Sequence, residues 1–465
     1  MGLIEKGAVL RPPLYLLLAM VYLFWTVFSG IFFQIAFGLL LLLAVLLAFP
    51  LASRSNILVS GSLYVLGMIL LSFSGGGPAG WLVAFTSNGG LVALFIALPL
   101  YNILLDYNDY VGAMEKLFRL YVRQSWWFFA LASAFAGLLG AVMNLGGMTL
   151  MHQLLRPYQD HYGDDIQMAQ ALSRGNLSMS YWAPCHMSVA TVVTYTGISW
   201  LALAPKGVLL SLFQLLFIAA FFYIAGGKKG RQSIPFSVSD SGIGAASVKA
   251  KLPRQDKQTL IELLAVYSGL VVLVALLNRF TSLPVLAIIS LSAFVYPPFI
   301  GLVKGAGQTY RMKWRKYKEK TLGGIVNQVV MFSSVGFFGK AIEYSGIGEY
   351  LINKLLPQNP AHPSLAIMMI AFLFLILALL GIHPVITIIA LAAALRPEVL
   401  ALTPLDLAYT YLLGYSVAVT VSPFFAVGLT ISALNGLNPW EGMAKHNLVY
   451  SIFLIIVFAQ IIPRI

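Results

Sequence analysis

The sequence contains few cysteines, few acidic residues and few charged residues of either sign. Its 465 residues include one cysteine, Cys185, together with 16 Asp and Glu and 29 Lys and Arg, so that charged residues make up 10% of the chain. A single cysteine excludes an intrachain disulfide and a cysteine-based metal cluster. With 59% hydrophobic residues, the composition also excludes a water-soluble globular protein and indicates a polytopic membrane protein.

Acidic residues are almost missing from the apolar stretches that are interrupted by proline, glycine or asparagine. Asp406 is the exception, and it stands near the start of its segment. Cation pumps and antiporters place carboxylates deep in the membrane, so the sequence favours an anionic or neutral substrate. Lys and Arg are also missing from the depth of the apolar spans, which argues against a groove that carries a glycan.

Motifs for nucleotide binding, metal binding by cysteines and hydrolysis by a nucleophile elbow do not occur in the sequence. Each of these motifs supplies a chemical group that its reaction requires. We therefore expect a protein that is not an enzyme and has no resident cofactor. The ions expected to act with it are Na⁺ or H⁺ as coupling ions.

The net charge of +13 is concentrated in two loops. Residues 227–257 hold seven Lys and Arg against two acids, and residues 304–320 hold seven against one. Both loops adjoin long apolar segments, and basic residues in that position mark the cytoplasmic side. The charge therefore indicates contacts with anionic lipid headgroups rather than with nucleic acid. We expect a multi-pass protein of the bacterial cytoplasmic membrane, with its N-terminus in the cytoplasm and its C-terminus in the periplasm or outside the cell.

Apolar runs of roughly 20 residues, the length that crosses a bilayer, occur along the whole chain. They predict an all-α polytopic membrane protein with about 11 transmembrane helices. We divide the chain into four parts: an N-terminal transmembrane helix (1–30), a first repeat (31–226), a cytoplasmic basic linker (227–257) and a second repeat (258–465).

The two repeats are inferred from an internal match. The phrase YWAPCHMSVATVVTYTGIS in the first half is similar to GYSVAVTVSPFFAVGLTISALNG in the second, with Pro184 matching Pro423 and Thr191 matching Thr430. Other matches follow in the same order, such as YVGAMEKLF and YSGIGEYLI, and a common order indicates duplication. Each repeat contains an odd number of spans, so the second copy is predicted to lie upside down. Inverted-topology repeats are typical of secondary transporters.

Each repeat is predicted to contain an amphipathic arm helix on the membrane surface, a re-entrant hairpin and a broken helix. A proline inside a helix removes a hydrogen bond and frees carbonyl groups, so the broken helices are expected to line a cavity. In the first repeat the three elements are 106–124, 125–155 and 177–203, and in the second they are 344–357, 364–396 and 404–436.

This layout resembles the ion transporter superfamily, which includes the divalent-anion/sodium symporters and the arsenite and citrate permeases. The resemblance covers nearly the whole chain as architecture. In the dicarboxylate branch, hairpin tips and helix breaks carry Ser-Asn-Thr signatures, whereas here the tips read VMNLGG and GIHPVI and the breaks read WAPCHMS and VSPFF. The resemblance implies a homodimer and an elevator-like movement of the hairpin domain against a scaffold of the other helices.

Two histidines lie in the predicted tips and breaks. His383, between Ile382 and Pro384 at the second tip, can exchange a proton or donate a hydrogen bond to an anion. Its alternative role is to cap a helix break. His186, two residues after Pro184, can act in the same way, and its alternative role is to form hydrogen bonds in the core.

The other candidate residues offer hydroxyl groups or backbone N–H groups. Ser and Thr at the breaks can bind substrate or cation, although they are also common packing residues in membrane helices. Asn and Gly at the first tip can present a helix start to an anion or form a simple turn. A sodium ion would lie near Asn144 and Ser422. The full substrate-binding set is Asn144, Gly146, Pro184, His186, Ser188, Thr191, His383, Pro384, Ser422, Pro423 and Thr430.

The sequence thus predicts a secondary active transporter of a small anion such as a carboxylate. We expect coupling to a proton or sodium gradient and an elevator-type alternating-access mechanism. Two alternatives stay open: the large membrane subunit of a tripartite solute carrier, and an exporter of an oxyanion or of a lipid-linked substrate. The expected partners are the small anion, membrane lipids and a second copy of the chain.

Overall fold

A computed structural model describes residues 3–74, 77–143, 145–225, 251–347, 350, 362–395 and 397–465. Regular structure in these ranges is helical throughout. The α-helices in chain order are α1 (Leu3–Phe28), α2 (Ile31–Ala48), α3 (Arg54–Ser74), α4 (Gly77–Thr86), α5 (Gly89–Ala97), α6 (Tyr110–Tyr121), α7 (Ser125–Met143), α8 (Leu145–Tyr162), α9 (Asp165–Ser178), α10 (Met187–Thr196), α11 (Trp200–Ala225), α12 (Arg254–Phe280), α13 (Val285–Val303), α14 (Gly307–Lys316), α15 (Val326–Ser345), α16 (Pro363–Leu379), α17 (Pro384–Ala394), α18 (Pro404–Val421), α19 (Ala426–Leu434) and α20 (His446–Ile461).

Ten helical segments of the described chain are long and apolar enough to cross a membrane, or 11 if one bent pair is counted as a span. The bent pair joins Gly307–Gly324 to Val326–Ser345 at an angle of 55°. Hydrocarbon offers no water to backbone N–H and C=O groups, so crossing segments must form their hydrogen bonds internally, as helices do. The protein is a multi-pass membrane protein, and the predicted all-α polytopic fold class is confirmed.

The outer faces of α2 and α3 carry large apolar side chains. Phe32, Leu58 and Phe73 are 73%, 72% and 86% exposed, respectively. Soluble proteins rarely expose contiguous apolar surface of this kind. Lipid tails are the medium in which such a face is stable.

The first half differs from the predicted boundaries around residues 156–176. This stretch, predicted as a polar connection, is mostly helical, because α8 continues to Tyr162 and α9 starts at Asp165. Asp164 and Gln167 form a capping box, in which each side chain bonds the backbone N–H of the other residue, and this satisfies the free donors of the first turn. The first broken helix therefore begins at Asp165 rather than at residue 177.

Other predicted elements fall partly outside the described residues. This applies to residue 144 at the first hairpin tip, to 226–250 of the basic linker and to most of the arm helix 344–357. The linker is also shorter than predicted, because α12 begins at Arg254, directly after the extended backbone of Pro253. Within the arm predicted at 106–124 the structure has a helix, α6, and its position on the membrane surface stays a prediction.

Each predicted hairpin consists of two helices that pack against each other, α7 with α8 and α16 with α17. In the first hairpin a Cβ on Gly147 would lie 2.8 Å from the backbone nitrogen of Gly140, so this close approach requires glycine. In the second hairpin Gly381 has a φ of +85°. This left-handed conformation reverses the chain after α16 and is accessible to glycine without strain.

Helix packing is reciprocal between the two halves. Helix α3 packs on α15 and its sequence counterpart α13 packs on α5. Helix α10 packs on α17 of the second hairpin, and its counterpart α19 packs on α8 of the first hairpin. The two broken helices, α9–α10 and α18–α19, meet where Ser416 Oγ donates to the Leu177 carbonyl at 3.4 Å, and these two residues are 239 positions apart. A duplicated unit would produce such contacts, while the inverted insertion of the two copies stays a prediction.

Candidate functional site

The first helix break lies between α9 and α10. A 3₁₀ turn, Met179–Tyr181, ends α9, and the chain then runs through Pro184 to His186, the N-cap residue of α10. Pro184 has no N–H to continue the helix, so the break occurs where the sequence predicts it. The Thr191 hydroxyl donates to the Met187 carbonyl of its own helix at 2.8 Å.

His186 is 2% exposed and has a defined hydrogen-bond arrangement. Ser188 donates its hydroxyl proton to the Ser180 carbonyl at 2.7 Å. The Ser188 oxygen therefore accepts from His186 Nδ1, which lies 2.8 Å away. In the neutral ring the proton is then on Nδ1, and Nε2 retains a lone pair. This Nε2 has no hydrogen-bond partner among the described residues, and the ring lies edge-on to Tyr415 of α18, at 5.8 Å between centroids.

His383 is the N-cap residue of α17, and Pro384 is the first residue of that helix. Its Nδ1 accepts a hydrogen bond from the Val385 backbone N–H at 3.3 Å. His383 therefore caps the start of α17 by accepting from a backbone N–H. Because Nδ1 is an acceptor, the proton of the neutral ring is on Nε2. The imidazole lies against Phe425 at the second break, with 4.8 Å between ring centroids.

The second break, between α18 and α19, is hydrogen-bonded to the second hairpin. Ser422 donates its hydroxyl to the Ala378 carbonyl at 2.9 Å and accepts from the Phe424 N–H at 3.3 Å. Both hydrogen-bonding functions of this hydroxyl are thus occupied. Pro423 is buried and Thr430 is half-buried.

Helices α10 and α17 each begin directly after a histidine and contact each other. They are 10 and 11 residues long and pack side by side. Thr196 and Leu395, at their C-terminal ends, line one cleft of about 130 Å³. The C-terminal ends of the two helices therefore lie at one cleft. Their N-cap residues are His186, whose side chain makes no capping bond, and His383, whose side chain does. Each N-terminus presents the positive end of a helix dipole. At α17, Pro384 has no N–H, and the N–H groups of Val385 and Ile386 bond to the ring and the carbonyl of His383.

The first hairpin tip is described only in part. Asn144 is outside the described residues, and Gly146 lies next to Asn102, whose side-chain amide would be 3.4 Å from a Cβ on that glycine. Within the described ranges, His, Cys, Asp and Glu form no group of three that could hold a metal ion. The sodium site expected near Asn144 and Ser422 stays a prediction.

Sequence reasoning missed two buried polar residues in the stretch 156–176, which it treated as a polar connection, and one ion pair. Arg174 and Asn176 are fully buried in α9, and the Asn176 amide has no hydrogen-bond partner in the described part of the chain. Lys206 of α11 pairs with Asp406 of α18 at 2.7 Å. The capping box at the start of α9 was the available sequence signal, because it indicates a helix in this stretch.

Comparisons with known proteins give limited information. No protein-family profile matches the chain, and no curated protein matches it. Among solved structures, the chain is similar to the Alcanivorax borkumensis YdaH transporter, with 14% sequence identity and a TM-score of 0.44, over 84% of this chain and 88% of that one. A likeness of this degree carries no conclusion about what this chain does.

Proposed function

We propose that this protein is a secondary active transporter of a small anion such as a carboxylate. The observation that carries the proposal is the pair of half-helices α10 and α17, which pack side by side and begin at the N-cap residues His186 and His383. Helix N-termini inside a membrane protein suit anionic groups, since N–H donors and dipoles point at them. The acids of the two broken helices, Asp165 and Asp406, are already paired with Arg156 and Lys206, which leaves them poorly suited to a cation.

The two histidines have complementary hydrogen-bonding roles. Nε2 of His383 carries a proton and is a donor at any pH above its titration, whereas Nε2 of His186 is an acceptor until it binds a proton. An anion near His186 is repelled by the lone pair of the neutral ring and attracted by the protonated ring. Binding of the anion is thereby linked to proton uptake, which favours the proton as the coupling ion.

Movement of the site is proposed to involve the hairpins and broken helices as one body. These helices contact each other reciprocally, α10 with α17 and α19 with α8. Helices α3 and α15, which pack extensively on each other, would form the scaffold against which that body moves. In an elevator-type mechanism, the hairpins and broken helices would carry the bound anion across the membrane, and their contacts with it would not change during transport.

A ligand screen tests the proposed function. Purified protein is heated with acetate, succinate, citrate, phosphate or sulfate, with and without Na⁺ and at two pH values. We expect at least one carboxylate to raise the unfolding temperature, more strongly at the lower pH, because a ligand at 100 times its Kd stabilises the folded state by about 2.7 kcal/mol. The proposal fails if none of these anions shifts the transition while the neutral amides of the same acids do.

Membrane orientation is proposed from the exposed cations of α14 and the following π-helical turn. Arg311, Lys316, Lys318 and Lys320 are exposed, and such a cluster suits the anionic cytoplasmic leaflet. Ser199, exposed between α10 and α11, would then face the opposite side.

Single-cysteine labelling checks this orientation. Cys185 is buried and is the one cysteine of the chain, so Cys185→Ala gives a cysteine-free background. We expect a membrane-impermeant maleimide to label Ser199→Cys in intact cells and to label Lys316→Cys only after the cells are opened. The opposite pattern would reverse the orientation, and labelling of both residues from one side would contradict the span count.

A further inference from the structure

Arg174 is the largest charged side chain that is fully buried in the described structure. Its Nε donates to Asn447 Oδ1 at 2.8 Å, and one terminal nitrogen, Nη2, donates to the His446 carbonyl at 3.1 Å. Aromatic rings surround the guanidinium: its carbon lies 4.3 Å from the Tyr450 centroid, 4.9 Å from Phe221 and 5.5 Å from Phe222. The other terminal nitrogen, Nη1, has no hydrogen-bond partner among the described residues.

This cage carries no negative charge. None of the ion pairs formed by the described residues includes Arg174. The other deeply placed cation, Lys206, is balanced by Asp406. A guanidinium does not lose its proton inside proteins, and ring faces and amide oxygens attract it without cancelling its charge. Arg174 therefore leaves one uncompensated positive charge in the interior.

The charge lies on the same broken helix as His186 of the proposed site. Arg174 is three residues before Leu177, whose carbonyl accepts from Ser416 where the two broken helices meet. At a helical rise of about 1.5 Å per residue, this places its backbone roughly 5 Å along α9 from the crossing. The same broken helix continues to His186. In an interior of low dielectric, a unit charge acts over such distances without contact.

We propose that Arg174 determines the charge specificity of the site, acting through its electrostatic field rather than by touching the substrate. A monoanion entering beside the broken helices neutralises the interior, whereas a neutral molecule of the same shape leaves the charge uncompensated. This inference rests on the proposed function of anion transport and adds to it a residue that sets the substrate class. Arg174 is a specificity-determining residue, while His186 and His383 are the residues at the site itself.

The test compares carboxylates with their amides. Thermal stabilisation by acetate and acetamide, and by succinate and succinamide, is titrated for the wild type, for Arg174→Lys and for Arg174→Gln. We expect Arg174→Lys to keep the preference for the carboxylate and Arg174→Gln to weaken carboxylate binding by about tenfold, which corresponds to about 1.4 kcal/mol. Binding of the amide should be unchanged in both variants.

A second variant covers the case in which Arg174→Gln does not fold. Gln214 of α11 is fully buried and lies beside the Tyr450 hydroxyl, so Gln214→Glu introduces a carboxylate next to the cage. We expect this variant to be folded and to lose the carboxylate preference, because Arg174 then has its counter-charge within the chain.

The outcomes separate this inference from the proposed function. If the wild type prefers carboxylates and both Arg174→Gln and Gln214→Glu keep that preference, Arg174 is structural and the inference fails while the proposed function stands. If the wild type shows no preference for any of the carboxylates, both fail. A loss of stability in Arg174→Gln with an unchanged ratio of carboxylate to amide affinity also overturns the inference.

Discussion

His383→Ala reduces uptake of the transported anion into proteoliposomes by roughly 10- to 100-fold. A hydrogen bond to a charged group contributes about 1.5–3 kcal/mol, and the variant removes the Nε2–H donor at the start of α17. It also removes the bond that Nδ1 accepts from the Val385 N–H. Loss of such an N-cap costs about 1 kcal/mol of stability, which is too little to unfold the protein.

Two further variants distinguish the loss of the Nε2–H donor from the loss of the N-cap bond. In His383→Asn the side-chain oxygen can still accept from the Val385 N–H, but no donor reaches the position of Nε2, so we expect normal stability without uptake. His362 provides a matched control, because it is also an N-cap residue before a proline, is exposed and makes no capping bond. His362→Ala should transport normally. Wild-type rates in His383→Asn would remove His383 from the mechanism.

Asp406→Asn destabilises the protein by about 3–5 kcal/mol, the cost of leaving one partner of a buried ion pair alone. The side chains of Lys206 and Asp406 are 13% and 12% exposed, and the pair joins α11 to α18 at 2.7 Å. Asp406 also accepts from the Thr403 hydroxyl at 2.7 Å. Without the carboxylate, the Lys206 ammonium keeps its charge with little water to solvate it. The measurement is the unfolding temperature of the purified variant.

A double variant and a surface pair complete this experiment. Lys206→Met combined with Asp406→Leu removes both charges, and we expect it to recover most of the lost stability, since a well-packed apolar pair often replaces a buried ion pair at no cost. Lys340 and Glu343 form a more exposed pair, with 29% and 51% exposure, so Glu343→Gln should cost less than about 1 kcal/mol. Equal effects of Asp406→Asn and Glu343→Gln would show that the Lys206–Asp406 pair is solvated.

The helix breaks were accessible from sequence because their cause is local. Pro184 and Pro423 each remove a backbone donor within an apolar run, and the structure interrupts both helices there. The reversal at Gly381 and the start of α17 at Pro384 are equally local. The start of α9 also has a local cause, the Asp164–Gln167 capping box. It was not predicted because the stretch is polar, a composition that predicts a connection.

The roles of the histidine nitrogens were not accessible in this way. They depend on which hydrogen-bonding group lies next to each ring. For His186 this is the Ser188 hydroxyl, which donates its own proton to Ser180, and for His383 it is a backbone N–H. Sequence reasoning named both histidines but left open whether each acts on the substrate or only makes structural hydrogen bonds. The structure shows a capping bond for His383 and a bond to Ser188 for His186, and it leaves the second nitrogen of each ring for ligand chemistry.

By itself, the sequence determined that this is a helical multi-pass membrane protein and where its helices are interrupted, because hydrophobic length and proline act on the residues that carry them. Tertiary structure decided that α10 and α17 lie side by side, that Lys206 is neutralised by Asp406, and that Arg174 is buried with no acidic partner among the described residues. Those features join residues hundreds of positions apart. Their energies depend on which side chains share a low-dielectric interior, and that is set by packing rather than by any single segment.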